Sequence, residues 1–139
     1  MKKNITRLIL LGACYLLAAV VLVYAQFRPA TISEAKQFET RCGWFFNPTP
    51  ANVWLYDRDA EWTIGVQGGY QVEDDWDWPT FKRGQWVKTN AGDYGYGCAC
   101  MQVRVNSQTH EVLKIKSARA RPLAVCRQDP ALKKWKGKL

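Results

Sequence analysis

Apolar positions change rhythm once along this chain. Leu8 to Ala25 is uncharged and mostly apolar, and no run of that length recurs. Beyond it the apolar residues come in short blocks, rich in aromatic and β-branched side chains and separated by Gly, Pro, Asn and Asp. Blocks of that kind read as strands and turns. "TRCGWFF" predicts a first strand, which the two prolines of "NPTPAN" should break. "VWLYD" (Val53 to Asp57) predicts a second and "EWTIGV" (Glu61 to Val66) a third, with "DRDA" turning between them. Trp54 and Tyr56 alternate with Val53 and Leu55, so both faces of this sheet should be partly covered. "QGGY" is a turn, because adjacent glycines permit the positive φ of tight hairpins. "EDDWDWPTF" fits neither period and reads as a loop. "QWVKTN" is a short strand, and "AGDYGYG" leads into the next.

The clearest strand is "CACMQVRVN". Ala99, Met101, Val103 and Val105 share one face, whereas Cys98, Cys100, Gln102 and Arg104 share the other. "SQTH" turns and "EVLKIKSA" returns as the hairpin partner. Pro122 and Pro130 then break regularity around a short helical turn, Leu123 to Arg127. The fold class expected is mainly β: a small antiparallel sheet or partly closed barrel with short terminal helical turns, stabilised by disulfides. The organisation expected is 1–25 signal peptide or N-terminal membrane anchor, 26–40 linker, 41–128 β domain and 129–139 basic C-terminal tail, its end frayed. A capping-box spacing, Thr31 to Glu34, marks one helical turn in the linker.

The N-terminus decides the compartment. Lys2, Lys3 and Arg7 precede the apolar run, and "VYA" (Val23 to Ala25) carries small residues where signal peptidase cuts, which places cleavage before Gln26. Uncut, the run sits at the lower limit for a spanning helix, with the positive end left inside. "LGAC" (Leu11 to Cys14) is a third reading, as a lipobox. All three put the domain across a membrane, so it is exported: periplasmic or secreted, or membrane-anchored by residues 8–25.

That compartment is oxidising, and paired cysteines there become disulfides. Setting Cys14 aside leaves Cys42, Cys98, Cys100 and Cys126, an even set with three connectivities. Joining Cys98 to Cys100 is opposed by geometry, since residues two apart on a strand do not meet the bond's requirements. Two patterns remain, each sending one of the pair to Cys42 and the other to Cys126. Zinc is disfavoured because structural sites draw on Cys-x₂₋₄-Cys knuckles. Thiol redox chemistry favours Cys-x-x-Cys, which is missing.

Charge divides the chain. Residues 26–103 hold 7 basic and 10 acidic side chains, whereas residues 104–139 hold 10 basic and 2 acidic ones. Outside the cytoplasm such a basic end meets anionic lipid, envelope polymer or water rather than nucleic acid. Catalytic signals are few. His110, the single histidine, sits at a hairpin turn. There is no Gly-x-Ser-x-Gly elbow, zincin helix or phosphate-cradling glycine motif. Asp57, Asp59 and Glu61 alternate as calcium loops do, without the central glycine and closing glutamate. Glu73, Asp74, Asp75 and Asp77 crowd around Trp76 and Trp78. Such a cluster suits a glycosidase pair, a ring-and-carboxylate binding surface, or a loop whose rings fold back on the core.

"RCGWFFNPTPANVWLYDRDAEWTI", "GGY", "YGYGCACMQV" and "RPLAVCR" together resemble the bacterial domain-of-unknown-function 4087 family. The similarity runs from about Arg41 to Arg127 and includes Cys42, Cys98, Cys100 and Cys126 but not Cys14. The resemblance implies a small exported domain and brings no catalytic residue with it. The function expected is a non-catalytic binding module of the bacterial cell envelope, recognising a protein (a hydrolase that it inhibits, for example) or a glycan through exposed aromatics. Its candidate binding residues are Trp44, Trp54, Tyr56, Trp76, Trp78 and Tyr94. No cofactor, metal or nucleic acid is expected; membrane association would come through an uncut N-terminal segment. The alternatives are a small envelope hydrolase with a carboxylate pair near Arg58 or His110, and a redox or metal protein using Cys98 and Cys100.

Overall fold

The structure is a computed structural model that describes residues 37–72 and 75–139. The N-terminal apolar run with its cleavage and lipobox readings, the Thr31 to Glu34 spacing, and Glu73 and Asp74 lie outside the described residues. No helix among the described residues is long and apolar enough to cross a membrane.

Six strands form in chain order: β1 (Glu39–Thr49), β2 (Asn52–Asp57), β3 (Glu61–Gly65), β4 (Trp86–Lys88), β5 (Gly95–Asn106) and β6 (Glu111–Arg121). A short helix α1 (Leu123–Gln128) and a 3-10 helix (Pro130–Trp135) follow. The sheet runs β1-β2-β3-β6-β5-β4, and β1 also pairs with β5, so five strands make a partly closed ring. All pairings are antiparallel except β3 with β6, which meet in parallel at Thr63 and Glu111. Setting β4 aside, this strand order is the connectivity of an OB-type barrel; connectivity alone assigns no ligand.

Two irregularities allow the ring. The register of β5 against β6 shifts between Gln102 and Val103 and again between Arg104 and Val105. Such bulges bend and twist a hairpin. They carry its tip round to β3, where the Thr63 amide donates to the His110 carbonyl at 2.8 Å. His110 takes a positive φ of 57° there, and its ring meets the Trp62 ring edge-on at 5.4 Å. The histidine thus sits at the seam of the barrel.

The two-residue alternation works as the sequence pattern implies. Val53, Leu55, Trp62, Ile64, Ala99, Met101, Val103, Val105, Val112 and Ile115 fill the interior around Phe45. The opposite faces of β1, β2 and β5 carry a second apolar layer: Trp44, Tyr56 and Cys98, with Phe46, Trp54 and Tyr96 beside them. Leu123, Cys126 and Leu132 of the C-terminal segment pack onto that layer. Over β1, β2 and β5 both faces of the sheet are therefore covered, one by the barrel itself and the other by the chain's end.

Two expectations need correction. β1 does not stop at Asn47 but runs through Pro48 to Thr49. The β1–β2 register shifts between Phe46 and Thr49, so Pro48 falls in an irregular stretch where a missing N–H leaves no gap in the ladder. The turn is made at Pro50 and Ala51, with Ala51 at a φ of 57°. The last residues are not frayed either. Asp129 caps the 3-10 helix by accepting from the Ala131 amide at 2.9 Å, and Trp135 stacks on Tyr56 at 5.1 Å with the planes 18° apart. Its indole N–H donates to the Asp57 carbonyl at 2.6 Å.

Candidate functional site

The four domain cysteines form two bridges. Cys42 and Cys100 lie directly opposite each other on β1 and β5 and are bonded. Cys98, two residues earlier on the same face, is bonded to Cys126 of α1. The first bridge ties strand to strand and Cys42 is exposed; the second is buried and fastens α1 to the sheet. Disulfides of this kind are consistent with an oxidising compartment.

Fastening α1 there creates a pocket of about 590 Å³ between the C-terminal segment and the outer face of the barrel. Trp44 and Tyr96 line it from the sheet, with rings edge-to-face at 5.5 Å. Cys126, Leu132 and Leu139 add apolar wall, and Arg127, Lys133 and Lys136 bring three cations. No aspartate or glutamate lines it. The volume falls within the range of small-molecule sites, about 300–1,000 Å³. Chemically it offers apolar contact, donors and positive charge, but among its lining side chains no carboxylate or imidazole for proton transfer.

Other cations of the segment are committed to the fold. The Lys134 ammonium donates to the Arg58 carbonyl at 2.7 Å, and the Lys138 ammonium pairs with Glu61. Both also lie over the Trp135 ring. Arg127, Lys133 and Lys136 have no carboxylate partner among the described residues.

The aromatic candidates from the sequence separate into four places. Trp44 is 5% exposed and forms part of the pocket. Trp54 and Tyr56 belong to a ladder with Phe46, whose ring lies 6.2 Å from Trp54 and 5.7 Å from Tyr56; Trp135 closes it over Tyr56. Trp76 and Trp78 stack on each other at 5.1 Å and reach Phe45 at 6.3 and 5.5 Å. Phe81 and Trp86 complete this second cluster, so the tryptophan-rich loop folds back against the barrel interior. Gly97 has no side chain because the Phe81 ring occupies its space: a Cβ there would lie 2.3 Å from Cε1. Trp78 stays 48% exposed, and Tyr94 is half-buried beside Gly92. Asp75 and Asp77 lie on the exposed surface of this loop.

The alternating acids are occupied structurally. Asp57 is 2% exposed. One carboxylate oxygen accepts from the Asp59 and Ala60 amides at 2.7 and 2.8 Å; the other accepts from Arg41 at 2.6 Å. Arg41 also donates to Asp59 and Glu39 and lies 4.0 Å over the Trp62 ring. Among the described residues no group of three or more His, Cys, Asp or Glu is placed to hold a metal ion.

Burial beneath Trp135, aided by the negative charge of Glu61, pushes the Tyr56 hydroxyl up to about 12. The unfolded chain releases this proton near its ordinary value of about 10. Folding stability should therefore fall as pH rises from about 10 to about 12, because only the unfolded state gains from ionisation over that span. Chemical unfolding at several pH values checks this: Tyr56→Phe should flatten the decline, whereas an unchanged slope would mean other groups cause it.

Sequence reasoning missed Tyr96, Arg127, Leu132, Lys133, Lys136 and Leu139. The basic residues of the C-terminal end mask its few apolar ones. Leu132 and Trp135 are three apart, the spacing that stacks side chains on one face of a 3-10 helix.

The fold and pocket define a class: a disulfide-stapled β-barrel whose C-terminal segment roofs a cation-rimmed pocket. The chain belongs to the protein family of unknown function DUF4087, whose model matches residues 36–133. No curated protein and no solved structure matches it.

Proposed function

We propose that this protein is an exported, non-catalytic binding module of the bacterial cell envelope. It would hold part of an envelope glycan or protein in the pocket between Trp44, Tyr96 and the C-terminal segment. The pocket carries the reading: apolar wall, positive rim and no acid–base pair among its lining residues. Two disulfides support export, as does the basic start followed by an apolar run in the sequence. A pocket whose roof is covalently fastened to its floor is preformed, and preformed sites bind without the cost of ordering loops.

The test is a heteronuclear NMR titration of the labelled protein with soluble glycan and protein fractions from the host's envelope. The expected result is shifts concentrated at Trp44, Tyr96, Leu132 and Lys136, with the added material recovered unaltered. Shifts concentrated at Trp76 to Trp86 would move the site to the other cluster. Hydrolysis of the added material would replace the binding module with an enzyme.

A further inference from the structure

We infer that the pocket selects an amphipathic anion: a ligand with one carboxylate, sulfate or phosphate group joined to an aromatic or acyl body. This deepens the binding reading above and rests on it. Three observations converge on the two halves of such a ligand.

The wall supplies the apolar half. Trp44, Tyr96, Leu132 and Leu139 surround a space large enough for a ring system or a short chain. The rim supplies the ionic half. Arg127, Lys133 and Lys136 are exposed, lie at one pocket and have no carboxylate partner among the described residues. Like charges gathered around low-dielectric walls raise the local potential and attract an anion. Arg127 can hold such a group with two parallel hydrogen bonds, and lysines add point charge.

The third observation is contrast within the same segment. Lys134 and Lys138 are satisfied by Arg58 and Glu61, so this stretch does pair its lysines where the barrel needs them. Asp129, beside the rim in sequence, is turned away to cap the 3-10 helix and to meet Arg58. The side-chain carboxylate nearest the rim in sequence is thus used elsewhere. A neutral ligand would leave the three cations repelling one another, and a cationic one would add to the repulsion; an anion relieves it.

The experiment compares two probes of one shape, naphthalene-1-sulfonate and naphthalene-1-methanol, by calorimetry and NMR on the full oxidised chain. At low salt the sulfonate should bind about tenfold tighter or more, the effect of one charge-assisted hydrogen bond, and added salt should shrink the advantage. In a Lys133→Gln/Lys136→Gln variant the advantage should largely vanish while alcohol binding is kept. Lys82→Gln, an exposed lysine in the loop before β4, should change neither. Equal affinity for both probes, unaltered in the double variant, would overturn the anion selection and leave the pocket reading standing. Failure of both probes to shift Trp44 and Tyr96 would overturn the pocket reading as well.

Discussion

Replacing Asp57 with alanine is expected to cost about 3–5 kcal/mol of folding stability, the range for breaking a buried ion pair from one side. The size follows from what this carboxylate satisfies. It accepts two backbone amides of the turn after β2 and one Arg41 donor. Without it the amides lose their acceptor, and Arg41 keeps only Glu39 and Asp59, which are far more exposed. The turn also carries the Asp57 carbonyl that receives the Trp135 indole, so loosening it loosens the C-terminal roof. Asp57→Asn retains an acceptor for the amides and should cost less, about 1–3 kcal/mol. A domain of this size has about 5–15 kcal/mol in all, so alanine should lower the urea midpoint by a large fraction of its value. A shift of less than about 1 kcal/mol for Asp57→Ala would mean the cluster is not the strut described here.

The second large effect concerns the bridge that fastens the roof. Cys98 and Cys126 are 28 residues apart, and opening a loop of that length releases about 3–4 kcal/mol of constraint in the unfolded chain. Cys98→Ala/Cys126→Ala should lose that stability and also detach α1, exposing Leu123 and Leu132. Probe binding at the pocket should weaken with it. The Cys42–Cys100 bridge closes a longer separation, 58 residues, so Cys42→Ala/Cys100→Ala should by the same argument lose about 4 kcal/mol. That bridge, however, duplicates an antiparallel pairing running from Glu39 to Asn47, so its loss should leave the pocket intact. The two double variants thus predict similar stability losses and different binding losses. Equal binding losses would show that the Cys98–Cys126 bridge has no special part in forming the site.

How much of this was legible in sequence depends on the range of the interaction. The period-two pattern of β5 placed Ala99, Met101, Val103 and Val105 inward and both cysteines outward, because strand alternation is local. It also showed that neighbours of Cys98 and Cys100 must approach side by side, but left open which of Cys42 and Cys126 each one meets. A partly closed barrel was one of the two forms the strand pattern allowed, but the contact that closes it was not readable. Closure rests on a single parallel contact between Thr63 and Glu111, reached through two bulges that no local pattern marks. The C-terminal roof was hidden by charge. Its lysines dominate the composition, while its apolar anchors are isolated residues: Leu132 packs in the outer layer with Trp44 and Tyr56, and Trp135 stacks on Tyr56. The tryptophan-rich loop shows the opposite effect. Its acids mark a surface segment, and of the three readings open for it the one found is the loop whose rings fold back: Trp76 and Phe81 pack toward Phe45 and only Trp78 remains substantially exposed among the loop's large apolar side chains.

One wiring fastens the pocket: Cys42 with Cys100 outside the barrel, and Cys98 with Cys126 beneath the roof. Ala99 alone separates the two central cysteines, so peptide mapping does not divide them; staged reduction does. The protein should be isolated from its host with thiols blocked at lysis, treated with limiting phosphine, alkylated, then fully reduced and alkylated with a second reagent. The expected result is no label at lysis, the first reagent on Cys42 and Cys100, whose bridge is exposed, and the second on Cys98 and Cys126. First label on Cys42 together with Cys98, or label taken up at lysis by any of the four, would contradict the wiring and with it the fastened pocket.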